Sequence, residues 1–196
     1  MSASNRCPRS WPRRPSCTPR ARPAWGSARS EVTAPAQPKF AADAMLARLA
    51  RWLRVLGWDT TLQPGLDDTT LVRQANEEGR ILLTRDRGLL RDLRPDRFVE
   101  VHHDGPLEQL RQVVRELNPE PPHELFTRCT VCNTELSPPL SDAERAARLP
   151  PDVRELPGPA RACPGCGRLY WRGSHAKRMR TALAHCLTDW LPREVL

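Results

Sequence analysis

Arg80-Ile81-Leu82-Leu83-Thr84-Arg85-Asp86 decides the fold. Ile81, Leu82 and Leu83 form an apolar run between Gly79 and the charged pair Arg85-Asp86, the pattern of a short buried strand. An unbroken apolar run, unlike an alternating one, predicts a strand covered on both faces, as in a parallel sheet. The run stops at a carboxylate. In open α/β sheets chemistry gathers outside the carboxyl ends of the strands, so Asp86 is the first candidate for it.

Outward from this strand the chain alternates. Lys39-Phe40-Ala41-Ala42-Asp43 reads as a strand. Met45, Leu49, Trp52, Leu53 and Leu56 then recur at helical spacing, with Arg48, Arg51 and Arg54 off that stripe and Gly57 as the stop. Residues 58–62 form the next strand, and Pro64-Gly65 turns the chain. Asp67 or Asp68 caps a helix from about residue 69 to residue 78. After the central strand come a short helix near 88–93, a strand over 98–101 and a helix from about 107 to 117. Strands and helices joined by short connections predict a parallel, three-layer α/β domain over residues 39–118. Pro119, Pro121 and Pro122 mark a linker over 119–128.

Charge is unevenly spread. The chain of 196 residues carries a formal +8, which alone points to a polyanionic partner. Residues 1–39 hold seven Arg and one Lys against one acid, so nearly all of the excess belongs to them and the rest is close to neutral. Residues 1–38 also hold seven Pro and few large apolar groups, which predicts a disordered tail. A nucleic-acid tether, a transit-like peptide and upstream sequence translated from a misplaced start are the readings of that tail. No apolar run approaches the roughly 18 residues that span a bilayer, and no signal-type apolar segment stands near the N-terminus. The expectation is a cytoplasmic protein without a membrane partner.

Three acids stand at strand ends. Asp43 closes the first strand, Asp86 closes the central one and Asp104 follows the fourth. Asp68 starts a helix entered from the same edge. Carboxylates crowded into one cleft repel each other unless a cation lies among them, and hard oxygen ligands select Mg²⁺ or Mn²⁺. Such ions are the usual apparatus of phosphodiester hydrolysis. Taken singly, each acid has a plainer reading. Asp43 and Asp68 stand where helix caps stand, Asp86 can pair with Arg85 or Arg87, and Asp104-Gly105 is a turn pair.

Of the seven cysteines, four fall in two C-x-x-C pairs, Cys129–Cys132 and Cys163–Cys166. Four thiolates so spaced predict a closed, structural zinc site over residues 129–173, in a reducing compartment rather than a disulfide framework. Asn133 and Gly167 follow the second Cys of each pair, and both residue types tolerate the left-handed backbone that a tight metal knuckle needs. The pairs are separated by 30 residues rich in Pro, which are expected to loop out. Leu169-Tyr170-Trp171 reads as the last ribbon strand, and Ser174 as the cap of a helix within residues 174–196 running to about residue 189. His175, Lys177 and Arg178 sit on its first turns, where they can touch a phosphate backbone or form a solvated basic face.

Asp43-Ala-Met-Leu-Ala-Arg-Leu-Ala-Arg-Trp-Leu-Arg, Leu-Leu-Thr-Arg-Asp86, the two C-x-x-C pairs and Tyr170-Trp-Arg-Gly-Ser-His175 with Met179 together resemble the Mut-seven C-terminal RNase family, over about residues 39–185. The resemblance implies a PIN-like nuclease fold with an appended zinc ribbon and a metal-dependent ribonuclease acting on RNA. By the family pattern Asp43, Asp68 and Asp86 match the acids that hold Mg²⁺ or Mn²⁺, with Asp104 as a fourth and Asp67 as the alternative to Asp68. Arg85 and Arg87 beside the acids join His175, Lys177 and Arg178 as candidate RNA contacts. The competing reading is a non-catalytic RNA-binding adaptor that uses the ribbon. An aspartyl-phosphate phosphatase is disfavoured, because that chemistry wants an acid two residues after Asp43, where Met45 stands.

Overall fold

Residues 81–84 are the centre of a four-stranded sheet. This strand, β3 (Ile81–Thr84), is buried along its whole length. It pairs in parallel with β1 (Phe40–Ala42) on one side and β4 (Phe98–Glu100) on the other, and β2 (Thr60–Leu62) adds in parallel beyond β1. The order is β2-β1-β3-β4. The computed structural model describes residues 37–192 and residue 195; the predicted disordered tail lies outside the described residues except for its last two positions. The described residues belong to one compact unit.

Parallel strands need crossovers, and helices supply them. A 3₁₀ turn (Ala44–Leu46) and α1 (Ala47–Val55) join β1 to β2. Then α2 (Asp68–Glu77) leads to β3, α3 (Arg87–Leu93) leads to β4, and α4 (Pro106–Leu117) follows β4. Alternation along the strands divides the core in two. Phe40, Ala42, Ile81, Leu83 and Val99 face the larger cluster with α1, α4 and a C-terminal helix, α6 (Ser174–Cys186). Ala41 and Leu82 face the smaller one, with Val72 and Ala75 of α2 and Leu89 of α3. This is the three-layer arrangement expected from the sequence.

Trp58 anchors the larger cluster. It is 1% exposed, packs edge-on against Trp190 with ring centroids 5.6 Å apart, and donates its indole N–H to Gln37 Oε1 at 2.7 Å.

Two residues near α1 depart from the stripe read off the sequence. Met45 is exposed, because the 3₁₀ turn breaks the rotation before α1 begins. Arg54, read as off the buried stripe, is buried: its guanidinium finds backbone carbonyls that stand in for water. The segment read as a linker packs against α1, with Leu125 buried and the Phe126 N–H donating to Val55 O at 2.8 Å.

Beyond it, an isolated bridge from Arg128 to Glu135 and the antiparallel pair β5 (Arg161–Ala162) and β6 (Leu169–Tyr170) carry the cysteines. The insert between the Cys pairs does more than loop out. It contains a helix, α5 (Asp142–Arg148), closed at its start by a reciprocal capping box between Ser141 and Glu144. Ser174 does not cap α6: Gly173 is the N-cap residue, no side chain caps the helix, and it ends at Cys186.

Candidate functional site

Strand order reverses between β1 and β3, since β1 is followed in sequence by a strand on one side and paired with β3 on the other. Such a switch point opens a crevice at the carboxyl ends of the two strands. Asp43 follows β1 there, and Asp86 follows β3.

One buried hydroxyl ties these acids together. Thr84 Oγ1 donates to Asp43 Oδ2 at 2.8 Å and accepts the Asp86 N–H at 3.0 Å. Thr84 is fully buried, so the hydroxyl has no competing water. Asp43 is also fixed through its own N–H, which donates to Leu83 O at 3.0 Å. Asp86 is the N-cap of α3, with Oδ1 accepting the Gly88 and Leu89 N–H groups at 2.7 and 3.1 Å. The sequence reading pairs Asp86 with Arg85 or Arg87; those arginines take Asp104 and Glu100 instead, and the cap read for Asp43 and Asp68 is found at Asp86. Asp43 Oδ1 and Asp86 Oδ2 take no hydrogen bond from the described residues.

The other acids differ. Asp67 is the N-cap of α2, accepting the Thr70 N–H at 2.9 Å. Asp68, the first residue of that helix, is exposed, and its carboxylate carries no hydrogen bond or ion pair among the described residues. Asp104 is exposed and pairs with Arg85 at 2.6 Å, while Arg87 pairs with Glu100 at 2.6 Å. Both arginines read as RNA contacts thus have carboxylate partners in exposed pairs, which are weak and exchangeable. His175, Lys177 and Arg178 are exposed on the first turns of α6. The donor set at the crevice is hard oxygen, which suits Mg²⁺ or Mn²⁺. Among the described residues only the four cysteines bring three or more ligand atoms all within 4.8 Å of one another; no three of the acids do so.

The cysteines form two matching knuckles. Cys132 N–H points to Cys129 Sγ and Cys166 N–H to Cys163 Sγ, each at 3.4 Å. Asn133 N–H donates to Cys129 O and Gly167 N–H to Cys163 O. Asn133 and Gly167 have φ of 71° and 74°, the left-handed geometry expected from their residue types. The Sγ atoms of Cys129 and Cys166 are 3.6 Å apart, and those of Cys132 and Cys163 are 3.3 Å apart. Four soft donors in this arrangement fit a tetrahedral ion such as zinc and leave no open position. The Thr134 hydroxyl is the main cause that lowers the Cys132 thiol pKa to about 6. Cys166 goes the other way, to about 12: the Arg168 N–H works against this, but burial and the three other cysteines outweigh it.

Arg54 and Asn133 join this centre to the sheet. From α1, Arg54 donates to Thr60 O at 2.9 Å, Thr130 O at 3.2 Å and Val131 O at 2.9 Å. Asn133 accepts the Thr60 N–H at 3.0 Å and donates to Asp59 Oδ1 at 2.7 Å. Burial lowers the Arg54 pKa, and the nearby Cys129 and Cys132 oppose that. Sequence reasoning missed Arg54 because its partners lie 76 and 77 positions away. Arg54→Leu strands these carbonyls and is expected to cost about 3 kcal/mol, read as a shift in urea midpoint. An unchanged midpoint would remove Arg54 from this role.

Asp59 adds a pH dependence. Partial burial raises its pKa, but hydrogen bonds from Arg80 and Asn133 outweigh this and hold the carboxyl below its ordinary value. A carboxyl depressed on folding contributes stability above its unfolded pKa of about 3.9, and that contribution is lost as pH falls through the folded value. Asp59→Asn should therefore flatten the fall of urea midpoint between about pH 5 and pH 2. A midpoint falling as steeply as in the wild type would contradict this.

A comparison with curated proteins returned no match, and neither did one with solved structures. Residues 38–183 match the model of the Mut7-C RNAse domain, which spans the sheet, the acidic crevice, the cysteine centre and most of α6. The chain belongs to the Mut7-C RNAse domain family.

Proposed function

We propose that the protein is a metal-dependent ribonuclease acting at the crevice between Asp43 and Asp86. The observation that supports this most is the Thr84 hydroxyl, which donates to Asp43 Oδ2 and accepts the Asp86 N–H, while one carboxylate oxygen of each acid has no hydrogen-bond partner among the described residues. Asp43, Asp68 and Asp86 are the residues that would hold Mg²⁺ or Mn²⁺. A divalent ion bound there supplies an activated water and positive charge for the scissile phosphate. Thr84 keeps Asp43 from rotating, and the α3 N-terminus holds Asp86 in place. Asp104 is the peripheral member, and its pairing with Arg85 is exchangeable for an RNA phosphate. The cysteine centre, loaded with zinc, holds the ribbon against β2 rather than taking part in the chemistry.

The test is incubation of the full chain with end-labelled single-stranded RNA, with and without Mn²⁺. Cleavage is expected only with Mn²⁺, and without 2′,3′-cyclic phosphate ends, because water rather than the ribose hydroxyl attacks. Cleavage independent of metal would overturn the reading. Binding of RNA without any cleavage would favour the adaptor.

A further inference from the structure

A second feature lies apart from the acids. A cavity of about 470 Å³ opens between the cysteine ribbon and the start of α6, within the range of roughly 300–1,000 Å³ that encloses small ligands. None of Asp43, Asp68, Asp86 or Asp104 lines it.

Its charge is strongly one-sided. Among the described residues, Arg51, Arg161, Arg168, Arg172 and Arg180 line it against a single acid, Glu124. Glu124 is already engaged by Arg161 at 2.8 Å. Arg180 lies over the Phe126 ring, 5.3 Å from its centroid, and donates to Val195 O at 3.0 Å. Arg51, Arg168 and Arg172 are exposed and have no side-chain partner among the described residues.

Its walls are aromatic. Tyr170 is fixed through its hydroxyl, 3.0 Å from Cys129 Sγ and 3.1 Å from the Thr130 N–H it accepts. Trp171 lies so close to Gly173 that a Cβ there would come within 2.8 Å of the indole Nε1. That approach explains a glycine whose φ of −92° any residue could adopt. The indole N–H itself has no partner among the described residues. Ser174, His175 and Ala176 complete the rim, and no side chain caps this first turn of α6, so the helix presents unclaimed amides to the same space.

Stacking surfaces beside surplus guanidinium groups are the chemistry that holds single-stranded nucleic acid. We propose that this cavity is a subsite for one nucleotide of single-stranded RNA, with its base stacked on Trp171 and its phosphate held by Arg51, Arg172 and the first-turn amides of α6. The proposal deepens the ribonuclease reading and rests on RNA being the substrate. Arg51 lies eight residues beyond Asp43 along the helical segment, on the order of 12 Å of rise, so one short strand can occupy both the subsite and the crevice.

The experiment is fluorescence anisotropy of a labelled ten-nucleotide single-stranded RNA with the full zinc-loaded chain, Mn²⁺ omitted. Arg51→Gln with Arg172→Gln should weaken binding at least about tenfold and reduce the slope of log affinity against log salt by about 0.7, one single-strand phosphate contact. Trp171→Ala should weaken binding roughly tenfold or more, and Trp171→Phe should restore most of it. AMP should compete better than inorganic phosphate. Equal competition, or wild-type affinity in the arginine variant with zinc content and melting temperature unchanged, would overturn the subsite. The arginine pair carries the test if Trp171→Ala fails to fold, because both side chains are exposed. Cleavage that survives Asp86→Asn would sink the catalytic reading and leave reduced affinity in the arginine variant as support for the subsite. Cleavage lost in Asp86→Asn beside wild-type affinity in the arginine variant would sink the subsite alone.

Discussion

Cys163→Ser is expected to abolish zinc binding and to lower the melting temperature of the whole described unit by about 10 °C or more. Cys163 is buried at 1% exposure and supplies both a ligand and the second knuckle. Losing it frees Thr130 and Val131, whose carbonyls accept hydrogen bonds from the Arg54 guanidinium. It also releases Asn133 from Thr60 and Asp59. A buried guanidinium stripped of two of its three carbonyl partners costs about 3 kcal/mol or more, and each kcal/mol moves the melting temperature of a unit this size by about 2–4 °C. Calorimetry beside metal analysis checks this. A variant without zinc that melts at the wild-type temperature would show that the ribbon is energetically separate from the sheet. The same centre makes zinc affinity fall as pH falls, because thiols must lose protons to bind. Cys132, with a pKa of about 6, is the first to do so.

Asp43→Asn is expected to reduce Mn²⁺-dependent RNA cleavage by about a thousandfold, or about 4 kcal/mol of transition-state stabilisation. The substitution removes a charge from the proposed ion-binding set without removing volume. The amide oxygen still accepts the Thr84 hydroxyl, and the backbone bond to Leu83 does not involve the side chain. Stability should therefore change by less than about 1 kcal/mol. Wild-type cleavage by a folded Asp43→Asn chain would remove Asp43 from the chemistry.

These contrasts follow from which interactions are local. Ile81–Thr84 was legible as a buried parallel strand because a continuous apolar run has few other uses. The knuckles were legible because C-x-x-C followed by Asn133 or Gly167 encodes their backbone within a few residues. The carboxyl-edge placement of Asp43 and Asp86 followed from strand order alone. Asp86 caps α3 with one oxygen, a role the sequence suggested for Asp43 and Asp68 and not for it, because the Arg on each side read as its ion-pair partners. The helix α5 was missed although Ser141 and Glu144 carry the capping spacing, because the surrounding prolines read as a loop. Arg54, Thr84 and the arginine-lined cavity were hidden for a different reason. Their meaning depends on partners brought together by tertiary packing: Thr130 and Val131 for Arg54, Asp43 for Thr84, and Arg51 beside Arg172 for the cavity. Met45 shows the reverse error, in which helical spacing was extended through a 3₁₀ turn that does not share it.

The rate of end-labelled RNA cleavage by Asp86→Asn beside the wild type, in Mn²⁺, tests the central claim most directly. The Asn side chain can still cap α3 through its oxygen, so folding is preserved while the carboxylate is lost. The account predicts cleavage in the wild type and its near-complete loss in the variant, with RNA affinity unchanged. Equal cleavage by both proteins would place the chemistry somewhere other than the crevice between β1 and β3.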